Sequence, residues 1–284
     1  MGLTKLTGYF RPKNLTEATR LLDENDGYFP TGGGTWLIPY GGSEVKGIVD
    51  LSEAGIREIR LEEDSMYIGA STTLNDLLTA PETSAHPYDF IRETISSEGS
   101  TRLINSASTV GGRIALGRGD SSFLAGLVAV DATIILFGKM SEDVTLWDYL
   151  NNSELQDENH IISGVEISTT ENIHSVIFES ISFIPSSPPL ISLALYLTFS
   201  GNLIDSARLV LSSIGERLVR LKEAETMLLG KELDHELIKN VSGLALKIVE
   251  PAPDPKGSVE YKKAMAGLLI ERVLNKIKNN RGGS

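Results

Sequence analysis

Three consecutive glycines in Thr31-Gly32-Gly33-Gly34-Thr35-Trp36-Leu37 mark the stretch of this sequence best suited to hold an anion. Without Cβ atoms the main chain can adopt φ > 0 and bring its N–H groups within hydrogen-bonding distance of a ligand. Successive inward N–H groups form an anion cradle, and the hydroxyls of Thr31 and Thr35 at its rims add donors. Taken alone, the loop also fits a glycine-rich surface turn. Ser108-Thr109-Val110-Gly111-Gly112-Arg113-Ile114-Ala115 repeats the recipe downstream, with hydroxyls, an apolar residue, paired glycines and an apolar segment. Neither stretch is the G-x-G-x-x-G of a dinucleotide Rossmann fold or the G-x-x-x-x-G-K-[ST] of a P-loop. Two separated glycine loops fit a long ligand with two phosphates, gripped from two sides.

No acid, base, nucleophile or metal ligand stands out beside them. His86, His160, His174 and His235 lack ligand spacing and sit among polar residues, as solvated or capping groups do. Asp50 and Asp131, at strand ends, read as turn formers. Trp36 fits either a cover over a bound ring or packing behind the loop.

Composition narrows the class of protein. The chain of 284 residues is 41% hydrophobic, enough for two ordinary domains with apolar cores. It has no cysteine, hence no disulfide, thiolate nucleophile or iron–sulfur ligation of its own. A net charge of −12 disfavours nucleic acid or an anionic membrane as partner, and the carboxylates are scattered as on a solvated surface. No apolar run is long enough to span a bilayer, and the first residues lack a signal peptide's basic start and apolar centre. The expectation is a cytoplasmic globular protein.

The elements that must position the loops read as a mixed α+β chain. Residues 7–11 are extended up to Pro12, and Asn14 with Glu17 forms a capping box for a helix burying Ala18, Leu21 and Leu22. Tyr28-Phe29-Pro30 leads into the first glycine loop. Ile48–Leu51 reads as a strand, and Ile59–Leu61 with Met66–Ile68 as a hairpin. Thr73 caps a helix holding Leu74, Leu77 and Leu78. Another helix follows Pro87, with Phe90, Ile91 and Ile95 inside. Asp120 reads as the cap of a helix running to Val130. Thr133–Phe137 and Ile161–Ile167 are strands. Composition shifts near Ser168–Asn172. Beyond it, Val176–Phe183, Leu190–Phe199 and Ala207–Ser212 read as three antiparallel strands, with Gly201-Asn202 as a hairpin turn. Three helices follow: Leu218–Leu229 stopped by Gly230, one capped by Asp234, and one carrying Tyr261, Met265, Leu268, Leu269, Val273 and Ile277.

This order of motifs resembles a known family. Glu17-Ala18 in the first helix, the Gly32–Leu37 loop, Ile68-Gly69-Ala70 with Thr72-Thr73, Thr109-Val110-Gly111-Gly112 and Ala129-Val130-Asp131-Ala132 follow one another as in the FAD-binding medium subunit of the molybdenum hydroxylases. That group includes carbon monoxide dehydrogenase, xanthine dehydrogenase and 4-hydroxybenzoyl-CoA reductase. Gly257-Ser258-Val259-Glu260-Tyr261-Lys262 is similar to the family's G-S-x-x-Y-R signature, with Tyr261 read as a domain-packing residue. The likeness runs from about residue 7 to about residue 275.

The resemblance implies an α+β fold: a vanillyl-alcohol-oxidase-type (PCMH) FAD-binding domain of two subdomains over residues 1–171, then a C-terminal α+β domain over 172–280 with a three-stranded antiparallel sheet and helices. It implies that Thr31, Gly32, Gly33, Gly34, Thr35 and Trp36, with Thr109, Val110, Gly111, Gly112 and Arg113, hold the FAD pyrophosphate. Ser122 falls where the family carries an Asp before a helix. Arg113 replaces the family's Asn and is suited to pair with a phosphate. Asn105-Ser106 replaces an Arg-Asn pair, and Ser182–Ser187 replaces a lysine and an Arg-Asp pair. The implied function is an electron relay within a heterohexamer. A molybdenum-containing large subunit oxidises substrate, an iron–sulfur small subunit with 2Fe-2S clusters carries electrons, and FAD in this chain delivers them to an acceptor such as NAD. The alternatives are a stand-alone FAD-dependent reductase or dehydrogenase, and a non-catalytic assembly subunit that has lost FAD.

Overall fold

The computed structural model describes residues 6–138, 142–157, 160–168, 176–184, 187–251 and 257–282. His174, Pro185 and Ser186, and most of the composition shift at Ser168–Asn172, lie outside the described residues. The chain forms two units. One comprises Met1–Glu82, Thr101–Leu116 and Asp131–Ser168; the other comprises Thr83–Ser100, Gly117–Val130 and Thr169–Ser284.

In the first unit, β1 (Gly8–Phe10), β2 (Tyr28–Thr31) and β3 (Gly47–Asp50) make a parallel sheet in the order β1-β3-β2. The helix Leu15–Glu24 carries the chain from β1 to β2, the two strands that flank the central β3. Asn14 Oδ1 accepts from Glu17 N at 2.8 Å, while Glu17 accepts from Lys13 N at 2.9 Å and not from Asn14 N, so the side-chain cap forms without the reciprocal half of the expected capping box. Gly8 and Gly47 lie under the Tyr28 ring. A Cβ there would fall 2.2 Å and 2.5 Å from its atoms, so the ring fills the space two side chains would need.

The second sheet of this unit is antiparallel. Its strands are β4 (Ile59–Leu61), β5 (Ser65–Gly69), β6 (Thr133–Phe137), β7 (Glu142–Thr145) and β8 (Ile161–Ser168), in the order β4-β5-β8-β6-β7. Met66, Ile68, Ile134, Leu136 and Val165 are buried. Thr73 and Asp76 form a full capping box on the Leu74–Thr79 helix, fixing where β5 ends and the helix begins.

The second unit contains an antiparallel sheet of β9 (Val176–Ile181), β10 (Ile191–Ser200), β11 (Leu203–Ser212) and β12 (Val219–Arg220), ordered β12-β11-β10-β9. Leu193, Leu195, Leu197, Leu209 and Leu211 share a core with the helices Lys222–Leu228, His235–Ile248 and Val259–Gly282. The opposite face meets the helices Phe90–Ser97 and Ser122–Ala129. A sheet covered on both faces explains why Ile191–Leu197 reads as a nearly unbroken apolar run.

The Phe90 and Ser122 helices pack with the later sheet although they precede it in sequence. Their apolar residues Phe90, Ile91, Phe123 and Leu124 are buried there, a pairing that neighbouring sequence cannot reveal. Three expectations need amendment. The cap of the Ser122–Ala129 helix is Ser121, which accepts from Leu124 N at 3.3 Å, whereas Asp120 forms a bidentate pair with Arg118. The later sheet has four strands instead of three. Its edge strand β12 is two residues long, too short to carry a period, and it takes the start of the expected 218–229 helix, which begins at Lys222. Finally, the second glycine pair is not a loop: Gly111 and Gly112 lie in the first turn of the helix Val110–Leu116.

Candidate functional site

The two glycine segments meet within the first unit. The Ala70–Leu74 and Ser108–Gly111 segments pair in antiparallel fashion: Gly111 N donates to Ala70 O at 2.8 Å, Val110 N to Thr72 O at 2.9 Å and Leu74 N to Ser108 O at 2.9 Å. Thr109 Oγ1 accepts from Gly112 N at 3.2 Å. The amides of the second glycine segment therefore serve the fold.

The first loop rests directly on this platform. A Cβ on Gly32 would lie 2.3 Å from Thr109 Oγ1, and one on Gly33 would lie 1.4 Å from the Ala107 carbonyl oxygen. Real Cβ atoms do not approach that closely, so glycine is required for the loops to touch. Gly34, at φ +65°, then turns the chain toward the short helix Leu37–Tyr40. No described residue accepts a hydrogen bond from the amides of Gly33, Gly34, Thr35 or Trp36. Four successive N–H groups without a protein acceptor form the kind of concavity that binds an anion.

A cavity of about 770 Å³ opens beside the loops, lined by Thr31, Gly32, Thr109, Gly111 and Gly112. Gly33, Gly34, Thr35 and Trp36 extend from its edge, and Trp36 is 40% exposed with its ring 6.1 Å from that of Tyr40, so it is not packed behind the loop. Val110 is fully buried as packing. Arg113 is half-buried on the Val110–Leu116 helix and does not line the cavity. Ser122 is placed elsewhere: it is fully buried in the second unit, its Oγ 3.0 Å from that of Ser192. Tyr261, read as packing, is 43% exposed.

Sequence reasoning missed the cavity's other walls. Tyr28 and Phe29 come from β2, Leu51 follows β3, Ala70 and Ser71 follow β5, and Tyr149, Gln156, His160, Ile161 and Ile162 also line it. Ser71 Oγ donates to Leu51 O at 3.0 Å, joining two of these walls. The only available signal was that His160 and Ile161 stand where a recognisable strand begins.

Behind the first loop, Asp50 anchors the sheet. Its backbone is in register with Thr31, and it is 6% exposed. Its carboxylate accepts from Tyr9 Oη, from Arg11 Nε at 3.1 Å and from Ser52 N at 2.9 Å. Burial pushes the Asp50 pKa up, but the three donors outweigh it and hold the group below the usual Asp value. Asp50 is thus a buried structural anchor as well as the turn former expected. Asp131, at φ 59°, is a turn residue in the left-handed region.

A glycine-built amide cradle set on a second glycine segment, beside a cavity in an α+β unit, is a site suited to a phosphate-bearing cofactor. Residues 4–169 match the FAD binding domain in molybdopterin dehydrogenase, and residues 189–277 match the CO dehydrogenase flavoprotein C-terminal domain. The chain belongs to this family, the FAD-binding medium subunits of molybdenum hydroxylases, and is an oxidoreductase flavoprotein.

It is 26% identical to the carbon monoxide dehydrogenase medium chain of Hydrogenophaga pseudoflava over 278 residues, covering 94% of this chain and 95% of that one. It is 24% identical to the glyceraldehyde dehydrogenase medium chain of Sulfolobus acidocaldarius, covering 95% and 97%. The solved carbon monoxide dehydrogenase from Hydrogenophaga pseudoflava superposes with a TM-score of 0.86 at 25% identity, covering 97% of both chains. The residues present fit FAD: the glycines whose Cβ positions are filled and the four available amides make a pyrophosphate cradle, and a cavity of about 770 Å³ adjoins it. Among the described residues, no helix is long and apolar enough to cross a membrane.

Proposed function

We propose that this chain is the electron-relay subunit of a cytoplasmic, heterohexameric molybdenum hydroxylase. In this reading it holds FAD, takes electrons from the 2Fe-2S clusters of a small partner subunit that is fed by a molybdenum-containing large subunit, and delivers them to an acceptor such as NAD. The observation that carries the proposal is the run of amides from Gly33 to Trp36 without protein acceptors, seated on Ala107 and Thr109. Bound FAD would supply the exchange between one-electron and two-electron carriers.

This chain's own residues bind and orient. The amides of Gly33, Gly34, Thr35 and Trp36 would donate to the pyrophosphate of bound FAD, and hydrogen bonds to a charged acceptor are stronger than neutral ones. Thr31 and Gly32 form the near rim. Thr109, Val110, Gly111 and Gly112 hold the platform on which the rim sits. Arg113 adds positive charge to the helix that carries the platform's glycines. Ser122 closes the polar core of the second unit behind its helix. Residues 1–171 carry the flavin function, and residues 172–280 form the C-terminal α+β domain of the carbon monoxide dehydrogenase flavoprotein type. The iron–sulfur clusters must come from a partner, because the chain contains no cysteine, and the molybdenum cofactor belongs in this reading to the large subunit.

The test is an absorption spectrum of the protein purified from its native source, with identification of the chains that accompany it, followed by addition of NADH. Flavin bands, two further chains (one rich in iron and sulfur) and bleaching by NADH support the relay. Flavin on a lone chain points to a stand-alone reductase. No flavin, even after FAD is added, removes the central claim.

A further inference from the structure

Asp26-Gly27 is the one aspartyl-glycine pair of the sequence, and no asparaginyl-glycine pair occurs in it. It forms the centre of a tight turn over residues 25–28, between the helix Leu15–Glu24 and β2. Tyr28 N donates to Asn25 O at 3.1 Å, and Gly27 takes the left-handed region at φ 81°. The Asp26 side chain is fully exposed. Lys46 Nζ stands 3.4 Å from its Oδ2 but is itself half exposed, and a surface pair of this kind contributes too little to pin the carboxyl group. Among the described residues no acceptor takes the Gly27 N–H. Glycine has no Cβ, so nothing on the residue after Asp26 shields that nitrogen from the neighbouring side chain.

An exposed carboxyl group beside an uncommitted, unshielded amide can cyclise. Gly27 N attacks Asp26 Cγ, the carboxyl OH and the amide proton leave together as water, and a five-membered succinimide closes. Water then opens either of the two bonds from the nitrogen to a carbonyl carbon. Breaking the bond to Cγ restores aspartate. Breaking the bond to the main-chain carbonyl carbon leaves the chain running through Cβ and Cγ, with the α-carboxylate as the side group. Water is released and taken up again, nothing is oxidised or reduced, and mass and charge end unchanged. We infer that Asp26 is a site of spontaneous isoaspartate formation, and that the altered turn loosens β2 from β3. The link to the sheet is the Gly27 carbonyl, which accepts from Lys46 N at 2.8 Å and from Gly47 N at 3.3 Å. Gly47 opens β3 in register with Tyr28, so an added methylene in the turn displaces the acceptor at the start of this strand pair.

The test holds the full chain, as wild type and as Asp26→Glu, in warm, mildly acidic buffer for several weeks. Glutamate keeps the charge and the turn, but its imide ring has six members and closes far more slowly. Isoaspartate is read by peptide mapping and by methyl uptake from S-adenosylmethionine with a carboxyl methyltransferase, the sulfonium methyl passing to an oxygen of the new α-carboxylate. The wild-type peptide carrying Asp26 should split into two of equal mass, while those carrying Asp64-Ser65, Asp120-Ser121 and Asp205-Ser206 stay single. Aged wild type should melt about 2 °C lower than fresh, the worth of one net hydrogen bond in a chain of this size, and Asp26→Glu should not change. An Asp26 peptide that stays single overturns the site, as does one that splits no faster than the three aspartyl-serine peptides. Splitting without a fall in melting temperature overturns the link to β2. The wild-type peptide map decides the site without the variant, so a variant that folds poorly does not shield the inference from refutation.

Discussion

Replacing Gly33 by alanine should cost this protein its flavin. The new Cβ would sit 1.4 Å from the Ala107 carbonyl oxygen and 2.4 Å from its carbon. Both obstructing atoms are backbone, so neither can swing aside as a side chain would. Ordinary contact begins near 3.4 Å, so the loop and the segment before the second glycine pair must part by about 2 Å. Overpacking of this kind costs about 1–3 kcal/mol in folding. The effect on binding is larger. A shift of about 2 Å carries an N–H of normal length out of hydrogen-bonding range. If two of the four cradle amides are lost to a pyrophosphate, at about 1.5–3 kcal/mol each for bonds to a charged group, affinity falls by roughly two to four orders of magnitude. The assay is titration of the flavin-free chain with FAD, followed by fluorescence quenching, alongside its melting temperature. Gly55→Ala is the control. Gly55 has φ +78° with nothing within 4 Å of a built Cβ, so it should lose about 1–2 kcal/mol of stability to strain and keep its FAD affinity. A Gly33→Ala protein that binds FAD within about threefold of wild type would refute the cradle argument.

Other expectations concern the anchors of each unit. Asp50→Asn should lower stability by about 2 kcal/mol at neutral pH, the worth of hydrogen bonds to a buried charge. Since folding lowers the pKa of Asp50, its contribution is complete above the unfolded value near 3.8 and fades as pH falls through the folded value below it. Melting curves from pH 7 down to pH 3 should therefore converge for variant and wild type, and a gap that stays constant contradicts the assignment. In the second unit, Glu225 accepts from Leu209 N at 2.9 Å and takes Arg220 in a fork, with Nη2 at 3.0 Å. Glu225→Ala leaves a half-buried guanidinium without its counter-charge and should cost about 3–5 kcal/mol, whereas replacing Glu225 and Arg220 together by methionine should recover most of it. Equal melting temperatures for the single and double variants would refute this pairing.

Much of the architecture was legible because its signals are local. The side-chain cap at Asn14 and the capping box at Thr73 depend on side chains three residues apart, and both of these form. Period and β-branching identified β6 at Thr133–Phe137 residue for residue. The glycine-rich Thr31–Trp36 stretch was visible because consecutive missing Cβ atoms are a property of sequence alone.

What stayed hidden depends on distant partners. The second glycine pair looked like a loop, but Val110 and Gly111 are tied to Thr72 and Ala70, and the chain turns into a helix at once. Ser122 occupied a site position by its place in the motif order, yet its hydroxyl lies against Ser192, seventy residues away. Tyr149, His160 and Ile162 carry no motif and become cavity walls only because their segments converge with β2 and the end of β5.

The sequence by itself determined which residue types could meet a phosphate, that the chain brings no thiolate to ligate a cluster, and the order of motifs that marks the family. Those are matters of composition, spacing and short-range backbone chemistry. Only the tertiary structure decided that Gly33 must be glycine because Ala107 lies against it, that two helices from the first half of the chain cover a sheet from the second, and that a buried tyrosine faces an open cavity. Each of these follows from atoms far apart in sequence competing for the same space.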